Sequence, residues 1–174
     1  MDSGALHKIG YGLYIVGSRR GEKLNGQIAN TVFQITSEPP TLAVSINKNN
    51  LTHEYITADR VFTASVLGQT APLPFIGGFG FKSGRDVDKL KGVNYKLGQT
   101  GAPLFLDNTT AFLEAEVIQE ITIGTHTIFI GKVVAAEVFN DNPCMTYEYY
   151  YQVKRGTTPK SAPSYIPKEP TGGK

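Results

Sequence analysis

Residues 111–139, AFLEAEVIQEITIGTHTIFIGKVVAAEVF, decide the fold class of this chain. Two runs within this stretch, 111–123 and 126–139, are rich in β-branched and other apolar residues. Gly124-Thr125 separates them, and a glycine-containing step of this kind commonly joins the two strands of a hairpin. We therefore predict a long β-hairpin here, within an antiparallel sheet.

Shorter runs of strand character surround this hairpin. They lie at 11–16, 28–35, 41–46, 61–67 and 145–153. In the third run Leu42, Val44 and Ile46 alternate along the chain, which is the period of a strand with one buried face. Short helices are predicted at 52–60, 71–77 and 83–91. Because strands and helices do not alternate, we predict a mainly β fold, a closed antiparallel barrel with a few short helices rather than a doubly wound sheet.

The composition indicates one domain followed by a tail. The chain has 174 residues, of which 40% are hydrophobic and 18% charged. Residues 1–150 carry a net charge of −2, from twelve cations and fourteen anions, so no general basic surface is expected for nucleic acid. Residues 151–174 carry +4, from five cations and one anion, and hold four of the ten prolines. We predict a domain over 1–153 and an extended basic tail over 154–174.

Several other classes of protein are not expected. The apolar runs are strand-sized, so no membrane-spanning helix is predicted. The first residues lack the pattern of a signal peptide, and the single cysteine, Cys144, cannot form an internal disulfide. We therefore expect a cytoplasmic protein. The three histidines lack the spacing of a metal motif, and no metal site is predicted.

Two polar clusters lie at the ends of predicted strands. In the first, asparagine and glycine let the backbone approach a flat ligand, although a plain hairpin turn would look the same. Its members are Asn25, Gly26, Gln27, Ile28, Ala29, Asn30 and Thr31. The second cluster supplies hydroxyl, amide and ammonium groups beside a predicted helix start, as in a phosphate site. Its members are Ser45, Ile46, Asn47, Lys48 and Thr52. The alternative is that Asn47 shapes a loop and Thr52 only caps the helix.

Two further features are candidates for ligand contact. Residues 81–89 place three cations around a predicted helix start, where Ser83 and Asp86 resemble a capping box. An ordinary solvated helix with internal charge pairs is the alternative. His126 follows the turn of the long hairpin and could stack on a ligand or donate to it, although a lone strand histidine is more often structural.

In this order along the chain, the clusters resemble the flavin reductase-like family of FMN-binding split barrels. YGLYIV at 11–16, SEPP at 37–40 and GTHTIFIGKV at 124–133 add to the resemblance. It is strongest to the flavoprotein part of high-molecular-weight rubredoxins, to flavoredoxins and to ferric reductases, where a linker similar to KRGTTP at 154–159 follows the barrel.

The resemblance implies a homodimer with FMN near the subunit interface. It implies that residues 25–31 line the isoalloxazine ring, and that further residues hold the ribityl chain and phosphate. The latter are Ser45, Asn47, Lys48, Thr52, Ser83, Gly84 and Lys89. His126 would lie near the flavin and the nicotinamide, although Thr125 replaces the aspartate usual before that histidine.

The activity implied by the resemblance is that of an FMN-dependent oxidoreductase. NADH or NADPH would reduce the flavin, which would pass electrons to free flavin, to ferric iron or to a redox protein such as rubredoxin. The alternative is a non-enzymatic FMN module that relays electrons between protein partners.

Overall fold

The computed structural model describes residues 3–165. After a 3-10 helix at Ser3–Lys8, the elements in chain order are β1 Tyr14–Arg20, β2 Lys23–Ala29, β3 Val32–Ser37, β4 Pro40–Asn47, α1 Leu51–Asp59, β5 Val61–Leu67, α2 Leu73–Gly80, β6 Tyr95–Leu97, β7 Pro103–Phe105, β8 Thr109–Ile123, β9 His126–Val138 and α3 Tyr147–Gln152. None of the helices in this part of the chain is long and apolar enough to cross a membrane. The predicted tail spans residues 154–174, and its part beyond residue 165 lies outside the described residues.

Seven strands form one antiparallel sheet in the order β2-β1-β5-β8-β9-β4-β3. The predicted long hairpin forms and lies at the centre of this sheet. Its strands β8 and β9 pair from Ile123 and His126 at the turn to Ala111 and Val138 at the far end. The short strands β6 and β7 form a separate pair that the sequence pattern does not predict.

The two edge strands of the sheet are consecutive in the chain. β2 lies at one edge and β3 at the other, yet only Asn30 and Thr31 separate them. Because two residues span only about 7 Å, the edges must come close together, and the sheet curls into a barrel. No strand ladder joins β2 to β3 in the described residues, so the barrel is split at this point. The prediction of a mainly antiparallel split barrel with few short helices is confirmed.

Two apolar cores lie on the two faces of the curled sheet. Ile15 and Val16 are adjacent in β1 and belong to different cores, as the alternation of side chains along a strand requires. The inner core fills the barrel and is closed by α1, with Val16, Leu42, Val44, Ile46, Ile56, Phe62 and Phe129. The outer core packs α2, β7 and α3 against the sheet, with Leu13, Ile15, Leu67, Ile76, Phe79, Phe105, Met145 and Tyr150.

Two of the predicted strands are wrong in part and a third is wrong throughout. The strand predicted at 11–16 begins only at Tyr14 and continues to Arg20 as β1. The run at 28–35 is interrupted by Asn30 and Thr31, where the chain crosses from one edge of the sheet to the other. The strand predicted at 145–153 is the helix α3. Thr146 caps this helix, because its hydroxyl accepts a hydrogen bond from Tyr149 N at 3.1 Å. Burial of Tyr150 in the outer core favours the helix over the strand propensity of the tyrosine run.

The helix predictions had three outcomes. The helix at 52–60 forms as α1, but its N-cap is Asn50 and not Thr52. The helix at 71–77 forms slightly later in the chain, as α2. The helix at 83–91 does not form, because side chains there bond to nearby backbone and stabilise turns instead. Ser83 Oγ accepts from Arg85 N at 3.1 Å, and Asp88 Oδ1 accepts from Leu90 N at 3.0 Å.

A buried carboxylate fixes the loop between β6 and β7. Glu114 is fully buried, and its oxygens accept hydrogen bonds from Gln99 N at 3.0 Å, Thr100 N at 2.7 Å and Thr100 Oγ1 at 2.6 Å. Hydrogen bonds to a charged acceptor contribute more to stability than neutral ones do. If the carboxylate were removed, its donors would be left without partners.

We expect Glu114→Gln to lower the free energy of unfolding by about 1–3 kcal/mol. The amide oxygen can still accept from Thr100, but the NH₂ group that replaces the second carboxylate oxygen cannot accept from Gln99 N. Urea denaturation measures the change. Glu116→Gln is the matched control: Glu116 is an exposed glutamate of the same strand, and its variant should unfold like the wild type. Equal stability of the two variants would contradict the role given to Glu114.

Candidate functional site

A cavity of about 370 Å³ lies where the barrel is split. Its walls come from β2, from the end of β4 with the start of α1, from the chain that follows α2, and from a segment after α3. A cavity of this size is within the range that binds small organic ligands and cofactors. Eleven of the residues predicted to hold a cofactor line it: Asn25, Gln27, Ile28, Ala29, Asn30, Ser45, Asn47, Thr52, Ser83, Gly84 and Lys89.

The β2 wall carries an unsatisfied acceptor. Gln27 Oε1 is buried and has no hydrogen-bond partner among the described residues. A buried oxygen without a partner costs about 1–3 kcal/mol, so such groups in proteins usually meet a donor. Because Gln27 lines the cavity, a ligand that carries an N–H group can supply that donor.

The opposite wall combines the end of β4 with the start of α1. Ser45 and Asn47 line the cavity, and Thr52 is fully buried beside them. Thr52 Oγ1 accepts a hydrogen bond from Asn25 Nδ2 at 2.8 Å, which ties α1 to β2 across the floor. The side chain of Asn50, the N-cap of α1, makes no capping bond, so the positive end of this helix is left available to an anion.

The chain after α2 closes the third side. Gly84 approaches Asn25 so closely that an added Cβ would lie 2.1 Å from Asn25 Oδ1, and only glycine fits there. The neighbouring Arg85 donates from Nη1 to Asn49 O at 3.0 Å and forms an ion pair with Glu54. Arg85 is one of the three cations at 81–89 but not one of the predicted site residues, and its position on the cavity adds a guanidinium to the site.

Lys89 places a desolvated ammonium group at the β2 wall. Its Nζ donates to Gly26 O at 3.1 Å and to Phe79 O at 2.9 Å, and no carboxylate of the described residues pairs with it. Burial lowers the pKa of this lysine to about 8, because desolvation disfavours the charged form. An anionic group in the cavity would offset that cost.

Five predicted residues do not line the cavity. Gly26 contributes its carbonyl oxygen to Lys89, and Thr31 accepts at its carbonyl from Ser45 N at 3.1 Å. The other three are Ile46, which is buried in the inner core, Lys48, whose side chain is exposed, and His126. His126 bonds through Nδ1 to Thr125 Oγ1 at 2.8 Å and through Nε2 to Ser161 O at 3.2 Å.

The fourth wall was missed from the sequence. It is made of Thr157, Thr158, Pro159, Ser161, Ala162 and Pro163, which form no helix or strand. The low apolar content of this segment predicted that it buries little surface and extends away from the domain. A different feature could have located it: its hydroxyl-bearing residues follow a run of tyrosines that can form hydrogen bonds with them. The division of the chain at 153–154 stays a prediction.

No group of three or more metal-ligating side chains occurs in the described part of the chain. The polar groups that line the cavity are amides, hydroxyls and cations, and apolar side chains such as Ile28 and Phe79 lie beside them, which suits an organic anion with an apolar ring.

Comparison with known proteins agrees with this geometry. A sequence profile described as flavin reductase like domain matches residues 6–157. The chain is 58% identical to the high molecular weight rubredoxin of Moorella thermoacetica, over 95% of this chain and 72% of that protein. It is 47% identical to a ferric-chelate reductase (NAD(P)H) of Archaeoglobus fulgidus, over 95% of this chain and 98% of that protein.

The fold has close neighbours among solved structures. An FMN-binding protein from Thermus thermophilus superposes with a TM-score of 0.69 at 32% identity, covering 76% of this chain and 74% of that one. Because the profile matches most of the residues and the barrel is shared, the chain belongs to the flavin reductase like domain family.

Proposed function

We propose that this protein is an FMN-dependent NAD(P)H oxidoreductase that passes electrons from a nicotinamide to a flavin, to ferric iron or to a redox protein. The observation that carries the proposal is the cavity at the barrel split, which joins an unsatisfied amide oxygen on one wall to cationic and hydroxyl groups on the others. The names of the relatives support the same activity, since one is a ferric-chelate reductase that uses NAD(P)H.

The residues of the cavity fit FMN. Gln27 Oε1 can accept from the N–H of an isoalloxazine ring that lies along β2. Ser45, Thr52 and the uncapped start of α1 can hold a single terminal phosphate. Arg85 lines the cavity and would add a guanidinium at the phosphate. The phosphate contact that the resemblance implies for Lys48 stays a prediction.

When bound, FMN supplies the group that accepts reducing equivalents from a nicotinamide and releases them to an acceptor. The protein orients the ring and stabilises negative charge on it. β2 is an edge strand, so one side of its backbone has no ladder partner and can donate N–H groups to the ring. The Lys89 ammonium, held by two carbonyl oxygens, adds a positive charge at the same wall.

A second function is favoured by one comparison. The relative from Moorella thermoacetica is named as a rubredoxin, a name that points to electron transfer. The chain would then relay electrons between proteins through FMN without a productive nicotinamide site. A rubredoxin-like protein is the partner expected under either function. A cytoplasmic location stays a prediction.

We also propose that two copies form a homodimer through the face of the sheet beside the cavity. Ser45 pairs with Ile128, and Ile128 pairs with Ile121, so these side chains lie on one face. Phe33 and Ile121 on this face are 52% and 41% exposed. Large apolar side chains at this exposure favour burial against a partner, and a second copy there would lie next to the flavin.

The activity is tested with the purified protein. We expect a yellow protein whose cofactor, released by denaturation, has the mass of FMN, because the cavity offers one phosphate site. Anaerobic NADH or NADPH should bleach its visible absorbance promptly. Bleaching only by a reduced redox protein would establish the relay instead, and a released cofactor that is entirely FAD would contradict the proposed fit.

Lys89 should make FMN affinity depend on pH. Its pKa is about 8 in the free protein and rises when an anion binds. Below pH 8 the ammonium is therefore present in both the free and the FMN-bound protein. Above pH 8 the free protein has lost this proton, so FMN binding must take one up. The dissociation constant then rises with pH, by at most about tenfold per pH unit. Fluorescence titration between pH 7 and 9.5 measures this dependence.

Lys89→Met should weaken FMN binding at pH 7 by about tenfold or more, as expected for loss of a charged contact, and should remove the dependence on pH. Lys91→Met is the matched control, since Lys91 is exposed and does not line the cavity. If the Lys89 variant keeps the same pH dependence, another group is responsible.

The dimer is tested by light scattering, which should give about twice 18.9 kDa. Ile121→Lys should shift the mass toward that of one chain, because a charge cannot be buried in an apolar interface without a large cost. Val138→Lys, at an exposed position at the far end of β9, should stay dimeric. A wild-type protein that binds FMN as a monomer would refute the proposed interface.

A further inference from the structure

The chain reverses direction directly after α3. Val153 N and Lys154 N both donate to Tyr149 O, at 2.9 and 3.2 Å, and Gly156 N donates to Tyr150 O at 2.9 Å. Arg155 between them has a left-handed backbone with φ of 59°. These bonds satisfy the last carbonyls of the helix, as in other left-handed C-terminal turns, and they direct the following residues back toward the cavity.

Two tyrosines of α3, which we term the tyrosine clamp, hold the start of the returning segment. Tyr150 OH donates to Thr157 O at 3.0 Å and accepts from Thr157 N at 3.2 Å, and Tyr147 OH bonds to Thr158 Oγ1. Burial raises the pKa of the Tyr150 hydroxyl, which keeps it protonated and able to donate. Because Tyr150 is also part of the outer core, the clamp connects the segment to the rigid body of the fold.

Gly156 makes this contact possible. The backbone at Gly156 lies on the Tyr150 ring, and an added Cβ would meet three ring atoms at 2.1–2.3 Å. Real Cβ atoms do not approach a ring that closely, and Tyr150 has no room to move because it is only 4% exposed. Any side chain at position 156 therefore displaces the segment.

The far end of the segment is held by three residues of the predicted flavin site. Asn47 Nδ2 donates to Ser161 O at 3.3 Å, and Asn30 Nδ2 donates to Ser164 Oγ at 2.6 Å. His126 Nε2 lies 3.2 Å from the same carbonyl oxygen of Ser161. A carbonyl can only accept, so Nε2 donates to it, while Nδ1 bonds to the hydroxyl of Thr125. His126 does not line the cavity itself, but it bonds to Ser161, which does.

We propose that residues 156–163, which we term the strap, are the outer wall of the flavin site and keep FMN bound as a resident cofactor rather than as a substrate that exchanges at each turnover. This inference rests on the proposed function. It follows from the position of the strap: fixed at both ends, it lines the same cavity as Gln27. Pro159 and Pro163 reduce the entropy lost when the strap is ordered, which favours the closed wall.

The test is the rate at which the 174-residue chain releases FMN, followed by the recovery of flavin fluorescence on dilution. We expect Gly156→Ala to release FMN about tenfold faster or more, because the displaced strap loses several hydrogen bonds. Gly78→Ala is the matched control: Gly78 lies in α2, nothing stands within 4 Å of its added Cβ, and its release rate should be unchanged.

Two further variants keep the test decisive if Gly156→Ala is poorly folded. Tyr150→Phe keeps the buried ring and loses both bonds to Thr157, so release should be several-fold faster with an unchanged circular dichroism spectrum. His126→Ala should also speed release, and its effect should be less than additive with that of Tyr150→Phe, since both act through one wall.

The possible outcomes separate the two proposals. If the wild-type protein binds no flavin, the proposed function fails. If it binds flavin and Tyr150→Phe and His126→Ala release it at the wild-type rate, the function stands and the strap is refuted. If His126→Ala leaves release unchanged and slows only reduction by the nicotinamide, His126 faces the nicotinamide and is no anchor of the strap.

Discussion

The two-residue link between β2 and β3 is the constraint on which the rest of the structure depends. A seven-stranded sheet whose edges are connected by Asn30 and Thr31 alone cannot stay open. Closing it buries one face as the inner core, and the twist of the strands prevents the edges from pairing fully. The gap that remains exposes the backbone and polar side chains of an edge strand, so the architecture that closes the barrel also creates its binding cavity.

The charges around the cavity are not equivalent. Arg85 is exposed and pairs with Glu54, so much of its charge is neutralised and screened by solvent. Lys89 is half-buried and, among the described residues, donates only to carbonyl oxygens, so its charge is less screened and acts more strongly at a given distance. The cavity therefore has one weakly and one strongly attractive position for an anion. A flavin with negative charge at both its phosphate and its reduced ring can use both.

The sequence predicts the fold well where local pattern and tertiary packing agree. The hairpin around Gly124 and the strand at 61–67 were found because alternation or β-branched residues coincide there with burial. The predictions failed where long-range contacts decide. Tyr147–Gln152 forms a helix because the outer core accepts Tyr150. The chain crosses between the sheet edges at Asn30, where polarity marks a break in the strand but not the direction in which the chain continues.

The candidate site shows the same division. Most of its predicted residues come from strand ends and loops that the family resemblance marks, and eleven of them do line one cavity. The strap was missed because its position depends on a shape match between Gly156 and a ring six residues earlier, and on distant partners such as Asn47. Composition indicates how much apolar surface a segment can bury, but not which part of the protein the segment packs against.

The strand order has a consequence for how the protein folds. The hairpins β1–β2, β3–β4 and β8–β9 join neighbours in sequence and can form early, whereas β4 must wait for β9, since Thr41 pairs with Lys132. During synthesis β4 therefore lacks its second partner until most of the chain has been made. Because the cavity needs this last pairing and the returning strap, flavin cannot act as a template for early folding. It stabilises the finished barrel by mass action, so in cells short of flavin the barrel would lose this added stability.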